Sequence, residues 1–303
     1  MEIIKQSNLE FMKYRKTALI ISALLIVLSI ASLAFRGLNF GIDFTGGTLV
    51  EVGYPQNADL ADIRKRLDGA GFADAQLQHF GTAKDVLIRL APRPDVSQSE
   101  LSSEILNALS QSQRAEVRRI EFVGPQIGEE LREDGGFAVL YALLGILIYV
   151  AFRFEYRFAI GAVIALAHDV LITLGFFSIS GIEFNLPVLA AILAVIGYSL
   201  NDTIVIYDRV RESFIKFKDT AEKVINKSVN LTLARTLITS LTTLLVLIAL
   251  LIFGGEILTG FTAALIVGVI VGTYSSIYIA SLSILMMGIN YKHIIPAKKE
   301  GVT

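Results

Sequence analysis

Six apolar stretches dominate the chain, at 17–35, 136–152, 158–180, 187–207, 236–254 and 261–288. Each reaches the about 17–25 residues that carry an α-helix across a bilayer, so six transmembrane helices are predicted. Between the first and second stretch the periodicity changes. "TLVEVGY" (48–54) alternates as a strand does, and "DLADIRKRLDGAG" (59–71) repeats apolar positions at helical spacing before Gly71 ends it. "DAQLQHF" (74–80) and "KDVLIRL" (84–90) read as strands flanking a Gly81 turn. A second helix follows at 97–112, opened by a Ser97/Glu100 capping box, and then a last strand, "AEVRRIEFV" (115–123). The order βαββαβ is the ferredoxin-like arrangement. The expected organisation is an N-terminus and first helix over 1–36, an α+β unit over 37–133, a five-helix bundle over 134–288 with a loop at 208–235, and a tail over 289–303.

Composition agrees with the membrane reading. Of 303 residues 53% are hydrophobic, mean hydropathy is +0.61 and only 18% are charged, against about 25% charged in soluble domains. A net charge of −1 excludes a broad basic surface, so nucleic acid is not an expected partner. The absence of cysteine excludes disulfides and thiol chemistry, and His79, His168 and His293 show no ligand spacing. No cofactor or metal is expected.

Charge in the short connections predicts orientation. Lys13, Arg15 and Lys16 precede the first span, Arg153 and Arg157 lie between the second and third, and seven basic residues occupy 208–235. "GIEFNL" and "GGEILTG" carry none. Both termini are therefore expected in the cytoplasm and 37–133 outside. The first span is read as an uncleaved anchor, since "ASLAFRGLNF" after it offers no clean small-residue cleavage site.

Few ionisable groups lie within the spans: His168 and Asp169 in the third, Asp202 beside Asn201 in the fourth, and Arg235 at the entrance to the fifth. A carboxylate inside a bilayer is costly and should face protein or water. Asp202 lies ~9 Å inward of Asp208 at 1.5 Å per residue. It reads either as a proton carrier or as a hydrogen bond to a neighbouring helix. His168–Asp169 reads either as a direct participant or as a bridge between helices, and Arg235 as a partner for Asp202 or as a snorkelling anchor. Thr232, Arg235, Thr236, Thr239, Ser240 and Thr243 share one face of the fifth helix. Gly260, Ala264, Gly268, Gly272, Ser276 and Ala280 repeat every fourth residue in the sixth, a close-packing seam. "NFGIDFTGG" (39–47) reads as a glycine turn into the first strand. It is no phosphate loop, because the Lys-Ser/Thr ending is missing. Three Asn-X-Ser/Thr triplets, at Asn201, Asn226 and Asn230, match the glycosylation pattern by chance, being intramembrane or cytoplasmic.

"GIDFTGG", "FVGPQIGEEL" (122–131), "FRFEYRFAIGAVIALAHD" (152–169), "GYSLNDTIVIYDRVRE" (197–212) and "LARTLITSLTTLL" (233–245) together resemble the SecF family. These are the smaller subunits of the bacterial SecD–SecF protein-export complex, in the resistance-nodulation-division superfamily. The resemblance covers nearly the whole chain. It implies a multi-pass protein of the bacterial inner membrane that pairs with SecD beside SecYEG, with YajC as a further companion, and acts on unfolded exported polypeptide. It implies that proton flow drives the external unit, with Asp202 and Arg235 at the family's proton-path positions and Asn201, Asp169, His168 and Thr239 as further candidates. Gly41, Asp43, Gly46 and Gly47 fall in its signature turn. A transport subunit rather than an enzyme is expected. The alternatives are a self-sufficient proton-coupled small-solute antiporter and a passive scaffold of the translocon.

Overall fold

The computed structural model describes residues 8–93, 98–110, 115–217 and 219–291. A 3₁₀ turn (Phe11–Tyr14) leads into α1 (Arg15–Phe35). A one-turn helix α2 (Ile42–Thr45) then opens an α+β unit of β1 (Gly47–Gly53), α3 (Leu60–Gly69), β2 (Gln76–Phe80), β3 (Thr82–Leu90), α4 (Gln98–Ser110) and β4 (Glu116–Val123). The helices α5 (Pro125–Arg153), α6 (Tyr156–Ser180), α7 (Leu186–Lys216), α8 (Ala221–Phe253) and α9 (Glu256–Ser275) follow. A π-helical turn (Ser276–Ala280) and α10 (Ser281–Met286) complete the sixth apolar segment. With α1, five long helical segments make six that are long and apolar enough to cross a membrane. This is a polytopic membrane protein carrying a small α+β unit.

The sheet is fully antiparallel with strand order β2-β3-β1-β4, the split-βαβ order that the pattern implied. Alternation assigns the two faces. Val50, Val52, Val86 and Ile88 point into a core closed by Ile63 and Leu67 of α3 and Leu101, Ile105 and Leu109 of α4. Leu49 and Leu87 point the other way, onto Ile42 of α2. Asp59 caps α3 by accepting from the Ala61 amide at 2.9 Å. The expected Ser97 cap lies outside the described residues.

In the bundle α6 and α7 are central. Phe158, Ala162, Ala165, Leu166, Val188, Ile192, Val195 and Ile206 are all buried. The outer faces of α1, α5 and α8 expose rows such as Ile20, Leu24 and Val27, or Leu241, Leu245 and Ile252. Large exposed apolar rows are unfavourable in water and fit hydrocarbon. The seam on α9 packs against α7. A methyl group at Gly268 would meet Val195 Cγ2 at 2.1 Å, and one at Gly272 would meet Ser199 Cβ at 2.9 Å.

Two expectations need correction. The "NFGIDFTGG" stretch is not a plain turn, because Ile42–Thr45 closes a helical turn before Gly46 and Gly47 reverse the chain at φ +69° and +128°. The 208–235 connection is mostly helix, since α7 runs on to Lys216 and α8 starts at Ala221. There Asn226 and Asn230 hold the segment before α1, accepting from the Met12 and Leu9 amides at 3.3 and 2.9 Å.

Candidate functional site

The signature turn is a joint at the head of α7. A helix leaves its first four N–H groups without intrahelical partners, and here each is accounted for. Asp43 Oδ2 accepts from the Leu186 amide at 2.9 Å, although 143 residues separate them. Pro187 has no N–H, Asn185 Oδ1 accepts from Val188 at 3.2 Å, and the Asn185 carbonyl accepts from Leu189 at 3.1 Å. The Gly41 amide donates to the Phe184 carbonyl, and the Phe184 amide to that of Asn39, each at 2.8 Å.

Glycines make the joint possible. A Cβ at Gly41 would lie 2.5 Å from Glu183 Oε1, one at Gly46 would lie 2.8 Å from Pro125 Cα, and one at Gly47 would lie 2.4 Å from the Leu90 carbonyl oxygen. In the space kept by Gly41, Glu183 forms an ion pair with Arg89 of β3, tying the sheet to the α6–α7 connection. Burial raises the Glu183 carboxyl above its ordinary value, with the Arg89 charge opposing and the Asp43 and Glu121 charges adding. Phe40, Phe44, Phe177 and Phe184 pack edge-on around this joint. Residues 39–47 thus fasten the sheet, α5 and α7 together.

Asp202 lies 16 residues further along α7, ~24 Å from Leu186. Its side chain is buried, with only 3% exposed. Among the described residues it makes no hydrogen bond and no ion pair within 4.0 Å. Arg235 of α8 is near enough for its charge to act on the carboxylate. Arg235 itself is exposed and lines a cleft of about 300 Å³ with Ile204, Val205 and Asp208. Thr239 is half-buried and donates to the carbonyls of Arg235 and Thr236 at 3.1 and 3.0 Å. Asn201 is exposed, on the far side of α7 from the packed core. Two residues of the polar face of α8 join helices: Ser240 bonds Thr273 of α9 at 2.7 Å, and Tyr198 of α7 donates to Thr243 at 3.3 Å.

His168 and Asp169 are not at this position. They centre a separate buried cluster in which Asp169 Oδ2 accepts from Ser199 of α7 at 2.6 Å and Ser275 of α9 at 2.7 Å. Sequence reasoning missed two features elsewhere in the structure. One is the π-helical turn Ser276–Ala280, where the buried Tyr207 hydroxyl donates to the Ala280 carbonyl at 3.0 Å. The other is the Arg89–Glu183 pair, whose partners are 94 residues apart and have no local signature.

Comparisons with known proteins identify the family. Residues 103–290 match the family model of the protein export membrane protein SecD/SecF, C-terminal, and residues 31–57 match the SecD/SecF GG motif. The chain is 50% identical to the protein translocase subunit SecF of Vibrio alginolyticus, covering 99% of this chain and 97% of that protein. It is 49% identical to the same subunit of Pseudomonas aeruginosa, covering 98% and 97%. The crystal structure of SecDF, a translocon-associated membrane protein from Thermus thermophilus, superposes with a TM-score of 0.84 at 39% identity. That match covers 92% of this chain but 38% of the SecDF chain. The chain therefore belongs to the SecD/SecF family of protein export membrane proteins, as a member of its SecF branch.

Proposed function

We propose that this chain is an auxiliary subunit of a Sec protein translocase that couples proton movement to the export of unfolded polypeptides. It sits in the bacterial inner membrane with both termini in the cytoplasm and residues 37–133 in the periplasm. It pairs as a heterodimer with SecD and works beside SecYEG and YajC. The observation that carries the reading is Asp202: buried in the middle of a spanning helix, without a hydrogen bond, and within the field of Arg235. A carboxylate used as helix glue takes a donor, whereas one that exchanges a proton must be free to change partners. Asp202 binds the proton, Arg235 favours its release, and Thr239 braces the α8 backbone at Arg235. Asn201, facing outward, meets the partner subunit.

That the relatives of 49–50% identity are named subunits of a protein translocase supports a subunit of a larger machine rather than a self-sufficient antiporter. Asp202→Asn keeps size and polarity but cannot titrate. In inverted vesicles at matched subunit levels, the variant complex assembles and ATP-driven translocation persists, while stimulation by an imposed proton gradient is lost. Full gradient stimulation in Asp202→Asn refutes the reading and leaves the scaffold in its place.

A further inference from the structure

An apolar recess opens on the flank of the bundle beside the signature joint. Phe44 and Phe184 bound it at the joint, Leu174 bounds it on α6, and Gly135 and Gly136 bound it on α5. It encloses about 260 Å³, and an apolar cavity of about 150 Å³ already takes benzene. Glycine makes the space. A Cβ at Gly135 would meet Leu189 Cδ2 at 2.8 Å, so α5 crosses close to α7 there. A Cβ at Gly136 would meet nothing within 4 Å, so the next position is open. Past it α5 exposes Phe137, Leu140, Tyr141 and Leu144, a row that fits hydrocarbon. The recess lies at the edge of that row, so hydrocarbon reaches its mouth.

One charged group stands among the residues that line it. Arg132, one helical turn before Gly135 and Gly136, is exposed and has no ion-pair partner among the described residues. Glu129 lies one turn further out on the same face, also exposed and unpaired among the described residues. At 1.5 Å rise per residue the two are roughly 4.5 Å apart along the helix. From the membrane outward this face reads apolar recess, cation, anion. A phospholipid with a phosphoethanolamine headgroup presents an acyl chain, a phosphate and an ammonium in that same order. Local charge then selects among headgroups. Within 129–134 four carboxylates stand against the one guanidinium, a net charge of −3. Arg132 can hold a phosphate, but a headgroup with no cation of its own meets uncompensated carboxylates.

We infer that this recess binds one membrane phospholipid with a phosphoethanolamine headgroup. Its acyl chain packs against Phe44 and Phe184, its phosphate sits on Arg132 and its ammonium on Glu129. The lipid comes from the leaflet on the side of the α+β unit, and it fills the gap between α5 and α6 next to the joint. This stands whether or not Asp202 carries protons.

The test uses the full chain in nanodiscs holding equal amounts of phosphoethanolamine and phosphoglycerol lipids with identical acyl chains. Native mass spectrometry after release reads how many lipids stay bound and which they are. One retained lipid per chain is expected, with the phosphoethanolamine form favoured roughly three-fold, the size of one exposed ion pair. Glu129→Lys should reverse that preference, because a second cation suits an anionic headgroup. Arg132→Gln should lower retention of both lipids. Gly136→Leu fills the open space and should cut retention roughly ten-fold. Arg132 and Glu129 are exposed, so their variants decide the matter should Gly136→Leu fail to fold. No lipid retained, an equal hold on the two headgroups, or a preference unmoved by Glu129→Lys overturns the inference. Full retention in a folded Gly136→Leu, or a polypeptide retained in place of the lipid, overturns it as well.

Discussion

Replacing Arg89 with alanine isolates the joint between the sheet and α7. Arg89 and Glu183 side chains are 15% and 23% exposed, so both are largely withdrawn from water. Removing one partner of a fully buried pair costs about 3–5 kcal/mol. At this partial exposure about 2 kcal/mol is the reasonable magnitude at neutral pH. The sign with pH follows from Glu183. Burial already raises its carboxyl above the ordinary value in the docked joint, and loss of Arg89 removes the main opposing influence. A carboxyl raised on docking favours the joint below its undocked value, and that contribution is lost as pH rises through the docked value. The Arg89→Ala defect is therefore smaller at acidic pH, where the raised Glu183 carboxyl is protonated, and larger at alkaline pH, where it is ionised. Hydrogen–deuterium exchange reads the opening at the Gly41, Phe184 and Leu186 amides, which are bonded across the joint. About 2 kcal/mol corresponds to roughly 30-fold faster exchange at 1.4 kcal/mol per decade. Arg89→Ala/Glu183→Gln should recover most of the loss. Equal acceleration at both pH values, after correction for intrinsic rates, refutes the reasoning.

Two further outcomes are expected. Gly268→Val places a methyl group 2.1 Å from Val195 Cγ2, so the α7–α9 seam must part; about 2–3 kcal/mol of overpacking should appear as a lower melting temperature in detergent, and an unchanged midpoint contradicts the seam. Because the chain has no cysteine, Phe80→Cys and Thr220→Cys can be probed with an impermeant maleimide: labelling of position 80 alone in cells with a permeabilised outer membrane supports the proposed orientation, and labelling of position 220 refutes it.

Much of this architecture was legible because its signals are local. The six spans follow from long continuous apolar runs, and the strands from short runs bounded by turn residues, as at Thr82–Leu90 after Gly81. The four-residue repeat on α9 disclosed its seam because helical geometry puts every fourth side chain on nearly one face. What stayed hidden depends on distant pairs. Nothing near Asp43 announces that it caps a helix 143 residues away. His168–Asp169 was visible as an unusual pair, but its separation from Asp202 depends on Ser22, Ser199, Tyr274 and Ser275, four unremarkable residues on three other helices. The charges of 208–235 mark a membrane edge and so predict a loop there. Helices can outrun the bilayer, and these do, with α7 continuing to Lys216.

The placement of Asp202 and the signature turn on one helix bears on how a proton could move the sheet. α7 is continuous from Leu186 to Lys216, and its first turn is fully capped, two of its amides being held by Asp43 and the Asn185 side chain. A displacement of the helix near Asp202 therefore reaches the joint without fraying on the way. Moving one charge across the membrane is worth about 2.3 kcal/mol per 100 mV. That is comparable with the about 2 kcal/mol held in the Arg89–Glu183 pair. It is far below the free energy needed to unfold a domain of this size, about 5–15 kcal/mol. Under the proposed function one proton can thus shift the joint between two positions, yet cannot unfold the α+β unit. The Arg89→Ala variant should then uncouple the two ends: proton-dependent changes near Asp202 persist while gradient-stimulated export falls, and full stimulation in that variant would show that force reaches the sheet by another route.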